Sequence, residues 1–258
     1  VLPSELREAL AGAMIETRYQ PIVAISDRRL YAVEALARLN HPTRGTLAPD
    51  RFVPQMEDAG LAAQLTEIVS RHAFADIAGP VLRDLNLRVT INFPLDVILA
   101  RAALDRLEEQ RSAAGIAAEQ VIVELTESRP AEDMGALAVS LEWLRARGYK
   151  VAIDDVGPAV PRLTPLLELP FTAIKLYMGL VRRTEENAAV KTFVRATIDA
   201  AHARDMAVVA EGVETVEQWQ AMRTIGVDAV QGFLVARPLP VEAVPIWLNA
   251  WNDTPAFG

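Results

Sequence analysis

Seven short apolar runs of this chain carry or end on a polar group: Glu34, Asn92, Glu124, the pair Asp154 and Asp155, Lys175, Glu211 and Gln231. A strand buried on both faces should read as apolar throughout, so each interruption asks for a reason. If the runs are neighbouring strands, the five carboxylates come close together and repel one another wherever water is scarce. Proton sharing or bound cations would relieve that repulsion. An all-oxygen set of carboxylates plus one amide suits hard ions such as Mg²⁺ or Mn²⁺. Zinc is poorly served, because His41, His72 and His202 form no ligand motif and the chain has no cysteine.

The elements that must position these groups follow from the alternation of short Val- and Ile-rich runs with longer segments of helical apolar spacing. Strands are expected over residues 19–25, 30–37, 88–92, 121–125, 150–154, 172–175, 207–211 and 229–231. Eight strands with intervening helices predict an α/β fold, a TIM-like (β/α)8 barrel. Met134, Leu137, Leu141 and Leu144 exemplify a helix stripe facing a sheet. Only residues 26–29 separate the first two strands, too few for a helical crossover, so the barrel should begin irregularly, with an antiparallel first strand. An open doubly wound sheet ranks second, since no Gly-rich phosphate loop follows any strand. In a barrel the C-terminal strand ends meet at one rim, which would gather the polar groups. The adjacent Asp154 and Asp155 would send one carboxylate inward and one to the rim.

A length of 258 residues suits one such domain, and 51% hydrophobic residues supply its core. The net charge of −8 argues against a duplex nucleic-acid partner, so an anionic substrate would need metal or local arginines. The missing cysteines exclude disulfides and thiolate chemistry and fit a cytoplasmic location. No run approaches the roughly 20 apolar residues of a membrane span, and residues 1–14 lack the features of a signal peptide. The absence of an initiator Met suggests one domain, 1–258, of a larger multidomain signalling protein whose full-length form could be membrane-anchored.

The same residues sit in recognisable motifs: Tyr19-Gln20-Pro21-Ile22, Glu34-Ala35-Leu36 with Arg38, Asn92, Glu124-Leu125-Thr126-Glu127-Ser128, Asp154-Asp155, Lys175, Glu211-Gly212-Val213-Glu214-Thr215, and Gln231-Gly232-Phe233 followed by Pro238. In identity and order they resemble the EAL domain family, cyclic di-GMP-specific phosphodiesterases and their non-catalytic relatives. The resemblance implies hydrolysis of cyclic di-GMP to linear pGpG with two divalent cations, Mg²⁺ or Mn²⁺. Carried over by motif, Glu34, Asn92, Glu124 and Asp154 would hold the first ion, and Asp154 with Asp155 the second. Lys175 would lie beside the scissile phosphate, and Glu211 is the candidate general base; with Glu34 they form the expected catalytic set. From the residues alone, Lys175 could equally serve as a buried salt bridge.

Gln20, Arg38, Gln231, Phe233 and Pro238 resemble positions at the ligand cleft, although Phe233 could equally be core. Glu127 and Glu214 would hold the loops behind the site. The expected partners are cyclic di-GMP, a second copy in a homodimer, and an upstream sensory or GGDEF-type domain.

The chain departs from the family after the paired aspartates. Where the family usually runs Phe-Gly-Thr-Gly-Tyr-Ser-Ser, residues 156–162 read Val-Gly-Pro-Ala-Val-Pro-Arg. Leu39 stands where Trp is frequent, Phe93-Pro94 replaces the residues after the Asn, and Leu176-Tyr177 lacks the usual Asp. Loss of the loop hydroxyls and gain of two prolines should alter its mobility and hydrogen bonding. A catalytically weak or inactive cyclic di-GMP receptor is therefore the alternative to an active phosphodiesterase.

Overall fold

In the computed structural model, which describes residues 1–126, 133–157, 163–184 and 186–255, the apolar runs become nine strands. They are β1 (Ile15–Ala24), β2 (Leu30–His41), β3 (Gly45–Leu47), β4 (Val89–Pro94), β5 (Val121–Thr126), β6 (Lys150–Val156), β7 (Ala173–Leu176), β8 (Ala207–Ala210) and β9 (Ala229–Val230). The sheet order is β1-β9-β8-β7-β6-β5-β4-β2-β3, and pairing of β1 with β2 closes eight strands into a barrel. β1 runs antiparallel to both neighbours, β2 and β9, whereas β2 and β4 to β9 are mutually parallel. The irregular barrel expected from the short first connection is what forms.

β3 was not foreseen. Its three residues pair only with the far end of β2, from Leu39↔Leu47 to His41↔Gly45, and they carry no apolar alternation. That pairing, together with Ile15↔Leu39 in β1, extends β2 beyond residue 37.

Helices cover the outside. In Met134–Ala146, Leu137, Leu141 and Leu144 are fully buried, as their spacing predicts. The Asp133 carboxylate caps that helix by accepting from the Ala136 N–H at 2.9 Å. At the β1–β2 turn, Trp251 Nε1 of the C-terminal helix donates to Arg28 O at 2.9 Å. The Arg28 guanidinium lies 4.4 Å from the Trp251 ring centroid, which fastens the hairpin to the last helix.

Inside the barrel, strand period sets two layers. Ile22, Ala32, Ile122, Ala152, Ala173, Val209 and Ala229 form a separate buried apolar cluster, and Thr90 on β4 is equally buried. Two residues further along each parallel strand stand Glu34, Asn92, Glu124, Asp154, Lys175, Glu211 and Gln231. On the reversed strand β1 the corresponding step runs backwards, from Ile22 to Gln20. Successive side chains alternate across a strand, so a step of two keeps the inward face and moves one layer along the axis. The small apolar layer is the dry floor under the polar layer.

Candidate active site

Lys175 is the hub of the polar layer. It is 1% exposed, and its Nζ lies 2.6 Å from Glu211 Oε1, 3.1 Å from Glu124 Oε2, 3.2 Å from Asp154 Oδ1 and 3.5 Å from Glu34 Oε2. One cation thus faces four carboxylates from β2, β5 and β6 and from the residue after β8. The two sequence readings of Lys175 do not exclude each other, since the buried ion pair lies inside the polar ring.

The ring is held by amides. Asn92 Nδ2 donates to Glu34 Oε1 at 2.8 Å, and Gln231 Nε2 donates to Glu34 Oε2 at 2.6 Å. Gln231 Nε2 also lies 3.3 Å from Gln20 Oε1, and Gln20 Nε2 donates to Ala236 O at 3.0 Å. Gln20, Glu34 and Gln231 are all buried.

Asp154 and Asp155 share a β-bulge. The β6–β7 register breaks between Ile153 and Val156, and Asp155 takes a left-handed φ of 52°. Aspartate tolerates that conformation better than most residues. The extra residue lets one strand send Asp154 inward while Asp155 emerges exposed at the mouth.

Two glycines set the neighbouring loops. A Cβ on Gly232 would lie 2.1 Å from Val213 O, and Gly212 has φ +66° with Met178 Cβ 2.5 Å from where its own Cβ would be. Their absence of side chains lets the loops after β8 and β9 cross backbone to backbone. Val213 N donates to Gln231 O at 3.0 Å and Leu234 N to Val213 O at 3.0 Å, which places Glu211 and Gln231 side by side.

The charge balance leaves protons on the ring. Burial pushes the Glu124 carboxyl well above its usual range, with Glu34, Asp154 and Glu211 adding repulsion and Lys175 opposing. Glu211 is pushed up to about 8, chiefly by burial, against the opposing pull of Lys175. Burial acts on Glu34 in the same direction, but Lys175 and the Asn92 and Gln231 hydrogen bonds outweigh it and hold Glu34 below the usual value. Asp155, although exposed at the mouth, is raised by partial desolvation of its carboxylate and by Asp154. Lys175 is held well above its usual value by the carboxylates despite its burial.

These residues fit divalent cations. Asp154, Asp155 and Glu211 each offer an oxygen, all within 4.8 Å of one another. Gln231 Oε1 is a buried acceptor without a hydrogen bond, and Asp154 Oδ1 has none beyond its ion pair with Lys175. With Asn92 Nδ2 given to Glu34, the Asn92 Oδ1 is the atom it can offer to an ion.

The other expected site residues lie around this ring. Arg38 shares the Glu34 and Leu36 face of β2, is half-buried, and donates to Ala37 O at 2.7 Å. Phe233 is 48% exposed with the Arg237 guanidinium 4.0 Å from its ring centroid, which removes its core reading. Pro238 is half-buried, directly before the Leu239 bridge to Tyr19. Glu214 pairs with Arg182 at 3.0 Å, tying the loop after β8 to helix Met178–Arg183. Glu127 and residues 158–162 of the altered loop lie outside the described residues.

Sequence reasoning missed a cavity of about 360 Å³ beside Glu34 and Asn92, walled by Leu36, Asp50, Val53, Leu65, Pro94 and Thr126 among others. One side of its wall comes from helices Val53–Asp58 and Ala62–Ala78. Their apolar residues look in sequence like any packing stripe, so no signal marked them.

An eight-stranded barrel whose C-terminal mouth concentrates carboxylates around one lysine defines a class, the barrel domains with a cation-demanding mouth. The profile of the EAL domain family matches residues 4–238, and the chain belongs to that family. The cyclic di-GMP phosphodiesterase NbdA of Pseudomonas aeruginosa is 34% identical over 97% of this chain and 32% of its own length. The chain spans about a third of the length of the first curated relatives it matches. Among solved structures, the PaMucR phosphodiesterase in complex with c-di-GMP superposes with a TM-score of 0.86 at 29% identity, over 93% of this chain and 98% of that one. The calcium and cyclic di-GMP complex of BlrP1 from Klebsiella pneumoniae gives 0.76 at 29% identity, over 90% of this chain and 57% of that one. Among the described residues no helix is long and apolar enough to cross a membrane.

Proposed function

We propose that this domain hydrolyses cyclic di-GMP to linear pGpG with two divalent cations, Mg²⁺ or Mn²⁺. The observation that carries the reading is the inward ring of Glu34, Asn92, Glu124, Asp154 and Glu211 about Lys175, with Asp155 beside it on the bulge. The matches to NbdA and to the PaMucR complex support the choice of substrate.

Glu34, Asn92, Glu124 and Asp154 would hold one ion, and Asp154 and Asp155 the other, with Glu211 close enough to share it. When bound, such ions neutralise phosphate oxygens and acidify water. Lys175 keeps its charge and directs it into the ring, where it would stabilise negative charge developing on the phosphate. Glu211, raised to about 8 in the metal-free ring chiefly by burial, would be a base of matched strength near neutral pH once in its carboxylate form. Gln231 presents an unpartnered Oε1 to the same space. Arg38, Phe233 and Pro238 border the mouth, and the cavity beside Glu34 offers room for part of the nucleotide.

Turnover of cyclic di-GMP to pGpG by the purified domain, measured with and without Mn²⁺ and repeated in Glu34→Ala, tests this. Metal-dependent turnover that drops at least 100-fold in the variant is expected; absence of turnover with either ion refutes it. The replaced loop at 156–162 favours a second reading, a receptor that binds the nucleotide without cleaving it. Tight binding with no pGpG would select that one. The same proposal has the domain working as a cytoplasmic homodimer within a longer signalling chain; a monomeric mass by light scattering with nucleotide and Mn²⁺ would remove the dimer from it.

A further inference from the structure

Gln20 is the single contribution of the antiparallel strand β1 to the polar layer, and its carboxamide is engaged at both ends. Its Nε2 donates to Ala236 O at 3.0 Å, which turns its Oε1 toward Gln231, 3.3 Å from Gln231 Nε2. The same Gln231 nitrogen donates to Glu34 Oε2 at 2.6 Å, while Asn92 Nδ2 takes Glu34 Oε1 at 2.8 Å. A continuous chain of hydrogen bonds therefore runs from the carbonyl of Ala236 through Gln20 and Gln231 to Glu34 and Asn92.

The chain has a fixed polarity. Both protons of the Gln231 amide are directed, one to Gln20 and one to Glu34, so its Oε1 must face away from both. That oxygen is buried and has no hydrogen-bond partner. The anchor is rigid as well: Tyr19 and Leu239 exchange backbone hydrogen bonds, N to O, at 2.7 and 2.8 Å, fixing the loop that contains Ala236 against β1.

We infer that Gln20 is a positioning residue, one that orients Gln231 and through it Glu34 for cation binding. The inference rests on the proposed phosphodiesterase reading for its consequence in catalysis, but its first effect is on cation affinity. Partners that orient metal ligands typically contribute 10- to 100-fold to affinity or activity.

Three variants separate this role from ligand contact and from plain packing. Gln20→Met keeps side-chain length and removes both hydrogen bonds. Gln20→Glu keeps an acceptor toward Gln231. Gln20→Ala removes the side chain. Thermal unfolding selects conditions under which each is folded, and calorimetry then gives the Mn²⁺ affinity without nucleotide and the cyclic di-GMP affinity without metal. In Gln20→Met, Mn²⁺ affinity measured without nucleotide is expected to fall about 10-fold or more; in Gln20→Glu, part of the Mn²⁺ loss is recovered. In turnover, kcat falls. Nucleotide affinity that falls while Mn²⁺ affinity holds would overturn the inference in favour of direct contact. Unchanged Mn²⁺ affinity in Gln20→Met would overturn it in favour of packing. If the original protein binds Mn²⁺ but shows no turnover, the phosphodiesterase reading fails, and the Mn²⁺ titrations still decide the role of Gln20.

Discussion

Replacing Lys175 by Met tests the polar role of the hub, because Met retains most of the aliphatic stem and loses the ammonium, with its charge and its N–H donors. In the metal-free protein Glu34 is held below its usual value, and Lys175 contributes to holding it there. Burial already raises both Glu124 and Glu211, the latter to about 8. With the lysine gone, burial raises Glu34 against only the Asn92 and Gln231 hydrogen bonds, and the form expected in the folded variant is the neutral acid. Starting from its ordinary value of 4.5, protonation at pH 7 costs about 2.5 × 1.36, or roughly 3.4 kcal/mol. Breaking a buried ion pair costs about 3–5 kcal/mol, a comparable figure.

For a domain of this size about 1 kcal/mol moves Tm by about 2–4 °C, so Lys175→Met should unfold roughly 7–14 °C lower at pH 7. The sign with pH follows from proton uptake. The folded variant holds a proton on Glu34 that its unfolded chain loses above 4.5, so the variant gains on the original protein as pH falls. At pH 5 the penalty shrinks to about 0.7 kcal/mol, or about 1–3 °C. Scanning calorimetry in EDTA at both pH values is the assay. An equal Tm loss at pH 5 and pH 7 would show that the cost is packing and refute the charge argument.

Two further outcomes follow from the same geometry. Because burial lifts Glu211 to about 8 and cation binding needs the carboxylate, Mn²⁺ affinity should rise from pH 6 to pH 8 with release of protons; calorimetry in buffers of different ionisation enthalpy measures that release, and none at pH 6.5 would contradict it. In Gly232→Ala the new Cβ would meet Val213 O at 2.1 Å, so the crossing of the two loops must open, with Tm lowered and turnover reduced at least 10-fold; an unchanged Tm would show that the crossing is not tight.

The polar ring was legible because strand period is strict. Asn92 lies two residues after Thr90, and Glu124 two after Ile122, so a polar residue ending an apolar run of the right parity must face inward. The pair Asp154-Asp155 was legible as a pair, but the bulge that lets both reach the mouth was not, since the left-handed φ of Asp155 depends on how β6 meets β7. The Gln20, Gln231 and Glu34 relay was also hidden. Gln20 and Gln231 are 211 positions apart, and only closure of the barrel brings them together. The cavity wall from Val53 to Val69 was illegible for a different reason: apolar residues that line a void and those that fill a core follow the same helical spacing.

The reversed first strand explains why Gln20 resists a rule built on strand ends. In a parallel barrel the mouth residue follows the floor residue, as Lys175 follows Ala173 and Gln231 follows Ala229. In β1 the mouth residue precedes the floor residue, Gln20 before Ile22, so a search for polar groups at the C-terminal ends of strands passes over it. Reversal also gives β1 antiparallel pairing on both sides, to β2 through nine registered positions and to β9 through two. The strand is therefore anchored mainly to β2, which carries Glu34, and only lightly to β9, whose following residue is Gln231. The Gln20–Gln231 hydrogen bond and the Tyr19↔Leu239 bridge lie on that lightly paired side. A polar side chain there joins the barrel seam just where the metal ligand Glu34 needs its neighbour held, which couples closure of the fold to the geometry of the site.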